Sequence, residues 1–232
     1  MALLRASLLL ALLLISAAVH AKPGPWELIT KEKGVKVQAR EIPGQGLPEF
    51  RGIGMVKGSI YEVLAVIDDT ANHPKWLANC VEAKKLKQLP NFGRIVYSRT
   101  EAPWPVSDRD VVLKGDLTVN LEKGVAISRF RGTTSPLKGK VSGVVRMKRL
   151  RGFWKLTSIG KDRTRVVYQV SADPAGMLPD WVAAMAQKKL PLETIVNLRR
   201  RVKKTRGKYD AFLNKYDPAR GGKVPEAVIV TK

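Results

Sequence analysis

The chain has 232 residues, room for one domain and hardly two, and 44% of them are hydrophobic, enough for a sizeable core. Its single cysteine, Cys80, excludes an internal disulfide and a cysteine-based zinc site, so stability must come from packing. The formal net charge of +22, from 42 basic and 20 acidic residues, favours anionic partners: phospholipid surfaces, nucleic acid or acidic polymers.

Residues 1–21 read as a signal peptide. Arg5 precedes an almost unbroken apolar run over residues 8–17, and Val19-His20-Ala21 places small residues where a signal peptidase cuts. The run is shorter than the ~20 residues that span a bilayer. The expectation is cleavage after Ala21 and an exported protein, periplasmic or secreted; a retained anchor helix is the alternative. Export makes nucleic acid the less available anionic partner. After cleavage His73 is the remaining histidine, which supplies a His-rich metal site or a Cys–His triad poorly. It reads as an exposed loop residue before Pro74, with a general base as the alternative, and neither metal nor cofactor is implied.

In chain order, residues 26–33 form a short amphipathic lead-in and Val35–Arg40 alternates as a strand. The Gly- and Pro-rich stretch 42–48 is a turn, and residues 50–56 complete a hairpin. Ser59 and Glu62 have capping-box spacing, and Ile60, Val63, Leu64 and Ile67 follow at helical intervals to about Asp69. Up to Ala172 the chain reads as about six strands. Over residues 94–101, Ile95, Tyr97, Arg99 and Glu101 share one face, taken as the inward one. Over residues 109–119 the inward face is Arg109, Val111, Leu113, Gly115, Leu117 and Val119. Residues 125–131, 144–159 and 164–171 follow; the second is too long for one regular strand, and Gly152 marks a bulge or bend in it. A long helix is predicted over residues 178–209, kinked or broken at Pro191. Residues 213–232 read as a disordered basic tail.

A run of antiparallel strands with helices before and after implies an α+β fold. Three segments carry a more specific likeness. Asp69 is followed by Trp76; Pro105 to Val112 places Arg109-Asp110 where a strand begins; Asp173-Pro174-Ala175-Gly176 with Pro179 and Trp181 launches the last helix. In that order, on those elements, they resemble the START family of lipid-transfer domains, here in an exported bacterial form, over residues 22–212. The resemblance implies the helix-grip fold, a curved antiparallel sheet wrapped around a long C-terminal helix, with an internal hydrophobic cavity for one sterol, phospholipid or similar lipid.

That likeness assigns ligand-facing roles to Arg99, Glu101, Arg109, Leu113, Tyr168, Trp181, Val182 and Met185. Glu101 with Arg99 or Arg109 would meet the polar end of the ligand through charge-assisted hydrogen bonds. Gly115, where a further inward arginine would be sought, departs from the cholesterol-type pattern. Residues 133–140 stand where the family has a mobile gate, with Leu137, Lys138 and Lys140 placed to touch an anionic bilayer transiently. The function implied is monomeric lipid shuttling without covalent chemistry. Two other classes stay open: a helix-grip enzyme of the aromatase or cyclase kind, using Glu101, Arg109 or Tyr168, and a polyanion binder built on the basic run 199–208.

Overall fold

The structure, a computed structural model, describes residues 22–45, 47–147, 149–176 and 178–231; the predicted signal peptide lies outside them. The elements are β1 (Glu27–Glu32), β2 (Val35–Arg40), β3 (Glu49–Lys57), α1 (Ile60–Asp68), β4 (Cys80–Gln88), β5 (Arg94–Thr100), β6 (Arg109–Asn120), β7 (Val125–Gly132), β8 (Val145–Arg146), β9 (Arg149–Ser158), β10 (Arg163–Asp173), α2 (Asp180–Lys204) and α3 (Asp210–Tyr216). Nine strands form one antiparallel sheet in the order β1-β2-β3-β10-β9-β7-β6-β5-β4, and the short β8 lies parallel to the start of β6. The predicted α+β class and curved sheet with a C-terminal helix are what the chain adopts.

Local chemistry explains the elements. The lead-in is strand β1, which turns back into β2 through Lys33 and Gly34, both at positive φ, the conformation a two-residue hairpin demands. Ser59 caps α1: its Oγ accepts from Glu62 N at 3.2 Å while Ser59 N donates to the Glu62 carboxylate at 2.8 Å, so the capping box forms as read. Val63, Leu64, Val66 and Ile67 of α1 join Leu156, Val166 and Leu198 in the main core, which borders the cavity at Ile67, Trp76 and Trp154. Edge strand β4 carries Lys84, Lys85 and Lys87, which discourage edge-to-edge pairing.

Helix α2 differs from expectation in an instructive way. It runs without a break through Pro191, because tertiary packing outweighs the lost backbone donor. Leu192, Ile195, Leu198 and Val202 are buried beneath it, and Gly52 and Gly54 of β3 leave room for its backbone. A Cβ at Gly54 would stand 2.8 Å from Ile195 Cγ2, and one at Gly52 2.9 Å from the Pro191 carbonyl oxygen. The helix ends at Lys204, short of residue 209, and a turn through Gly207 at φ 77° leads into α3.

Two further readings need correction. The stretch 144–159 divides into β8 and β9, and Gly152 makes no bulge: the β9–β10 register is unbroken there. The glycine is needed because the Phe130 ring and the Gln169 carbonyl occupy the space a side chain would take. The tail 213–231 is ordered. Val224 and Val228 bury in the main core and Val230 N donates to Val119 O at 2.9 Å, because β6 leaves an apolar edge of core for the returning chain to cover.

Candidate functional site

Between the N-terminal half of α2 and the sheet lies an internal space in two abutting compartments. The outer, about 180 Å³, is lined by Phe50 and Leu77, by Tyr168 and Val170 of β10, and by Val182, Met185 and Leu190 of α2. The inner, about 120 Å³, lies deeper, among Ile67, Trp76, Val96, Leu113, Phe130 and Trp154. Leu77, Thr100, Met147, Leu150 and Tyr168 belong to the walls of both. Tyr168 stacks on Trp154 at 4.1 Å between ring centroids, and burial pushes its phenol well above the ordinary range.

Leu113, Tyr168, Val182, Met185, Glu101 and Arg109 therefore line the space as the sequence suggested. Arg99 and Trp181 do not. Cross-strand partners share a face, and β5 pairs Val96 with Leu113 and Ser98 with Val111. The inward face of β5 is thus Arg94, Val96, Ser98 and Thr100, opposite to the face inferred from hydrophobicity. Tyr97 misled that reading: it is buried on the outer side, where Lys138 from the 133–140 loop lies 4.2 Å from its ring centroid. Arg99 points outward and pairs with Asp108 at 2.7 Å. Trp181 is 53% exposed on the outer side of α2. Glu101 stands exposed at the rim of the outer compartment, beyond the end of β5, and forms no ion pair with Arg109 or Arg99 among the described residues. The proposed Glu101–arginine pair is not made.

The polar end of the inner compartment is one the sequence did not reveal. Arg94 folds its side chain over Gly115, its cross-strand partner, and a Cβ at Gly115 would meet Arg94 Cγ at 3.3 Å. Its guanidinium donates to Asp68 at 2.9 Å and to Ser128 at 3.3 Å. The inward arginine sought at position 115 is therefore supplied from the neighbouring strand, and the glycine there was its signal. His73 also differs from its reading as an exposed residue. It sits in a 3₁₀ turn (Thr70–Lys75), lines the inner compartment and makes a 2.9 Å hydrogen bond through Nε2 to Ile67 O. Burial, with Arg94 nearby, pushes its pKa down to about 4, so the ring is neutral and Nε2–H donates. Trp76 is 2% exposed, and its Nε1–H has no partner among the described residues.

Arg109 is the polar feature of the outer compartment. It is 7% exposed; Nη1 donates to Ser107 O at 2.5 Å, and Nε has no partner. Desolvation draws the pKa of Arg94 and Arg109 below the usual guanidinium range, yet both stay charged. No group of three or more potential metal ligands occurs among the described residues.

On the outside, Leu137 is 48% exposed and Lys140 is free of the sheet, but Lys138 is held against Tyr97 and lies 3.8 Å from Glu82. Trp104, 90% exposed, follows Pro103 on the rim of the outer compartment. In the basic run 199–208, Arg199 is committed to the fold, donating to the carbonyls of Lys33, Gly34 and Met55.

Comparison with known proteins agrees with this architecture. The START domain family pattern matches residues 13–208. An uncharacterized protein of Pseudomonas aeruginosa is 33% identical over 193 residues, covering 82% of this chain and 93% of that one. Human phosphatidylcholine transfer protein is 26% identical over 166 residues, 70% of this chain and 77% of its own. Among solved structures, a fragment of the STAR-related lipid transfer protein from Xanthomonas axonopodis superposes with a TM-score of 0.69 at 29% identity, covering 77% of this chain and 98% of that chain. Human StAR-related lipid transfer protein 5 shares the fold at 21% identity with a TM-score of 0.68, covering 78% and 88%.

Proposed function

This chain belongs to the START domain family, and from that premise we propose that it is a lipid-transfer protein that holds one hydrophobic ligand, a sterol, phospholipid or similar lipid, under the N-terminal half of α2. The observation that carries the reading is the apolar internal space between α2 and the sheet, with fixed polar groups at two points along it. An apolar space with a few placed polar groups is what a lipid site requires. Burying the ligand replaces the bilayer as its apolar surroundings, at about 25 cal/mol per Å² of apolar surface. The similarity to phosphatidylcholine transfer protein favours a phospholipid over a sterol.

The protein acts as a monomer, after export to the periplasm or beyond, and works by binding rather than turnover. His73 is neutral and holds a backbone carbonyl, while Glu101 stands at the rim rather than against Arg109. Exchange happens at a membrane. Leu137 and Lys140 contribute to docking, joined by Trp104 and Trp181, whose rings suit the headgroup layer, and by a net charge that favours anionic lipid.

Native mass spectrometry of the purified protein, with organic extraction of anything bound, tests this. One lipid per chain, and movement of labelled lipid from donor to acceptor vesicles, is the expected result. A protein that carries no lipid and takes up neither sterol, phospholipid nor fatty acid would overturn it.

A further inference from the structure

Arg109 sits in an unusual electrostatic position. The two acidic residues beside it in sequence are both taken by other arginines. Asp108 binds Arg99 at 2.7 Å and accepts from Ala102 N at 3.1 Å. Asp110, 1% exposed, is held by Arg146 through two bonds of 2.6 and 3.1 Å. Arg109 is left with one backbone carbonyl for its five donors, an Nε–H without a partner, and no ion pair among the described residues. A buried guanidinium in that state is costly, because one carbonyl bond and the nearby Asp108 charge, itself bound to Arg99, offset only part of its desolvation. The contrast with Arg94, deeper in the same space and paired with Asp68, shows that this fold can neutralise an interior arginine.

The charged residues lining the outer compartment are Arg109, Lys189 on the rim from α2, and Glu101. Glu101 is exposed to solvent, so the charge sealed inside the compartment is positive. A ligand seated in the compartment can supply the missing acceptor.

We infer that the lipid carried by this protein has an oxyanion in its head, a carboxylate or a phosphate, and seats it on Arg109 in the outer compartment with its apolar part extending past Tyr168 toward Trp154. This rests on the lipid-binding reading above and narrows it: neutral lipids, sterols and fatty alcohols included, leave Arg109 without a counter-charge. The planar guanidinium fork matches either oxyanion.

The test is calorimetric titration of the delipidated full protein with four probes: oleate, oleoyl-lysophosphatidate, oleyl alcohol and inorganic phosphate. The expected result is that oleate or oleoyl-lysophosphatidate binds about tenfold to a hundredfold more tightly than oleyl alcohol, the size of a charge-assisted hydrogen bond. The Arg109→Gln variant should abolish that preference while oleyl alcohol binding changes little. The wild-type ranking stands alone if the variant does not fold. Equal affinity for the acids and the alcohol would overturn the inference and leave lipid binding intact. Phosphate alone binding as tightly as the acids would overturn the lipid-head assignment in favour of a free-anion site. Binding of none of the four, with no uptake of phospholipid or sterol, would overturn the broader lipid reading as well.

Discussion

The inner and outer compartments each contain an arginine that is nine-tenths buried or more, and the fold treats the two oppositely. Arg94 is paired with Asp68, donates to Ser128 and sits over a glycine that makes room for it. Arg109 keeps one carbonyl bond while its acidic neighbours serve elsewhere. A buried charge whose partners come from the chain itself is part of the scaffold. One whose partners are withheld is held ready for something the chain does not contain.

The sharpest way to break this comparison is to unpair Arg94. Asp68→Ala leaves its guanidinium buried without a carboxylate and should cost about 3–5 kcal/mol in denaturant unfolding, the usual price of breaking a buried pair. A loss below about 1 kcal/mol would mean that Arg94 is solvated in place.

A pH titration of stability probes the same compartment. The pKa of His73 is lowered from 6.5 to about 4 in the folded state, so between those values the unfolded chain binds more protons. The contribution of the neutral ring is complete above pH 6.5, falls away as pH drops toward 4, and amounts to about 3 kcal/mol at most. His73→Gln should flatten the stability profile over that window, and an unchanged slope would place the titration elsewhere.

The C-terminal half of α2 supplies a structural control that lies outside both compartments. Gly54→Ala should destabilise by about 1–3 kcal/mol through overpacking against Ile195. A thermal melt that does not move would show that the helix can lift from β3.

Arg109→Met should then do the reverse of Asp68→Ala. Removing an uncompensated charge leaves the stability of the empty protein unchanged within about 1 kcal/mol or raises it slightly. A large loss would give Arg109 a scaffold role like that of Arg94. The smallest effect on folding is expected at Trp104. Trp104→Ala should alter stability by less than about 0.5 kcal/mol, while sedimentation with anionic vesicles should show weaker binding; unchanged sedimentation would remove the rim from the docking surface.

Much of this was legible in the chain. Ser59 and Glu62 announced α1, the alternation of residues 109–119 placed β6 with the correct inward face, and the long apolar-striped C-terminal segment announced the helix over the sheet. These are local signals, set by spacing and by hydrogen bonds within a few residues. The order of elements was enough for the fold, since a sheet of this size needs one long helix to cover it.

What tertiary structure alone decided were the matters that depend on which surfaces meet. The face of β5 reversed because a loop distant in sequence buries Tyr97 from outside, and period-two alternation cannot distinguish burial under a loop from burial in a core. Helix α2 passes through Pro191 because β3 presents glycines beneath it, and the tail is ordered because β6 leaves apolar surface for it to cover. The pairing of four charges around Arg109 was likewise invisible. Asp108 and Asp110 flank Arg109 in sequence, but Arg99 binds Asp108 just before the strand begins, and strand alternation turns the Asp110 carboxylate to the side opposite Arg109, where Arg146 binds it. The ligand-facing role read for Arg109 thus stands without its expected Glu101 partner, and the pleat of the strand turns the adjacent Asp110 away from the cavity.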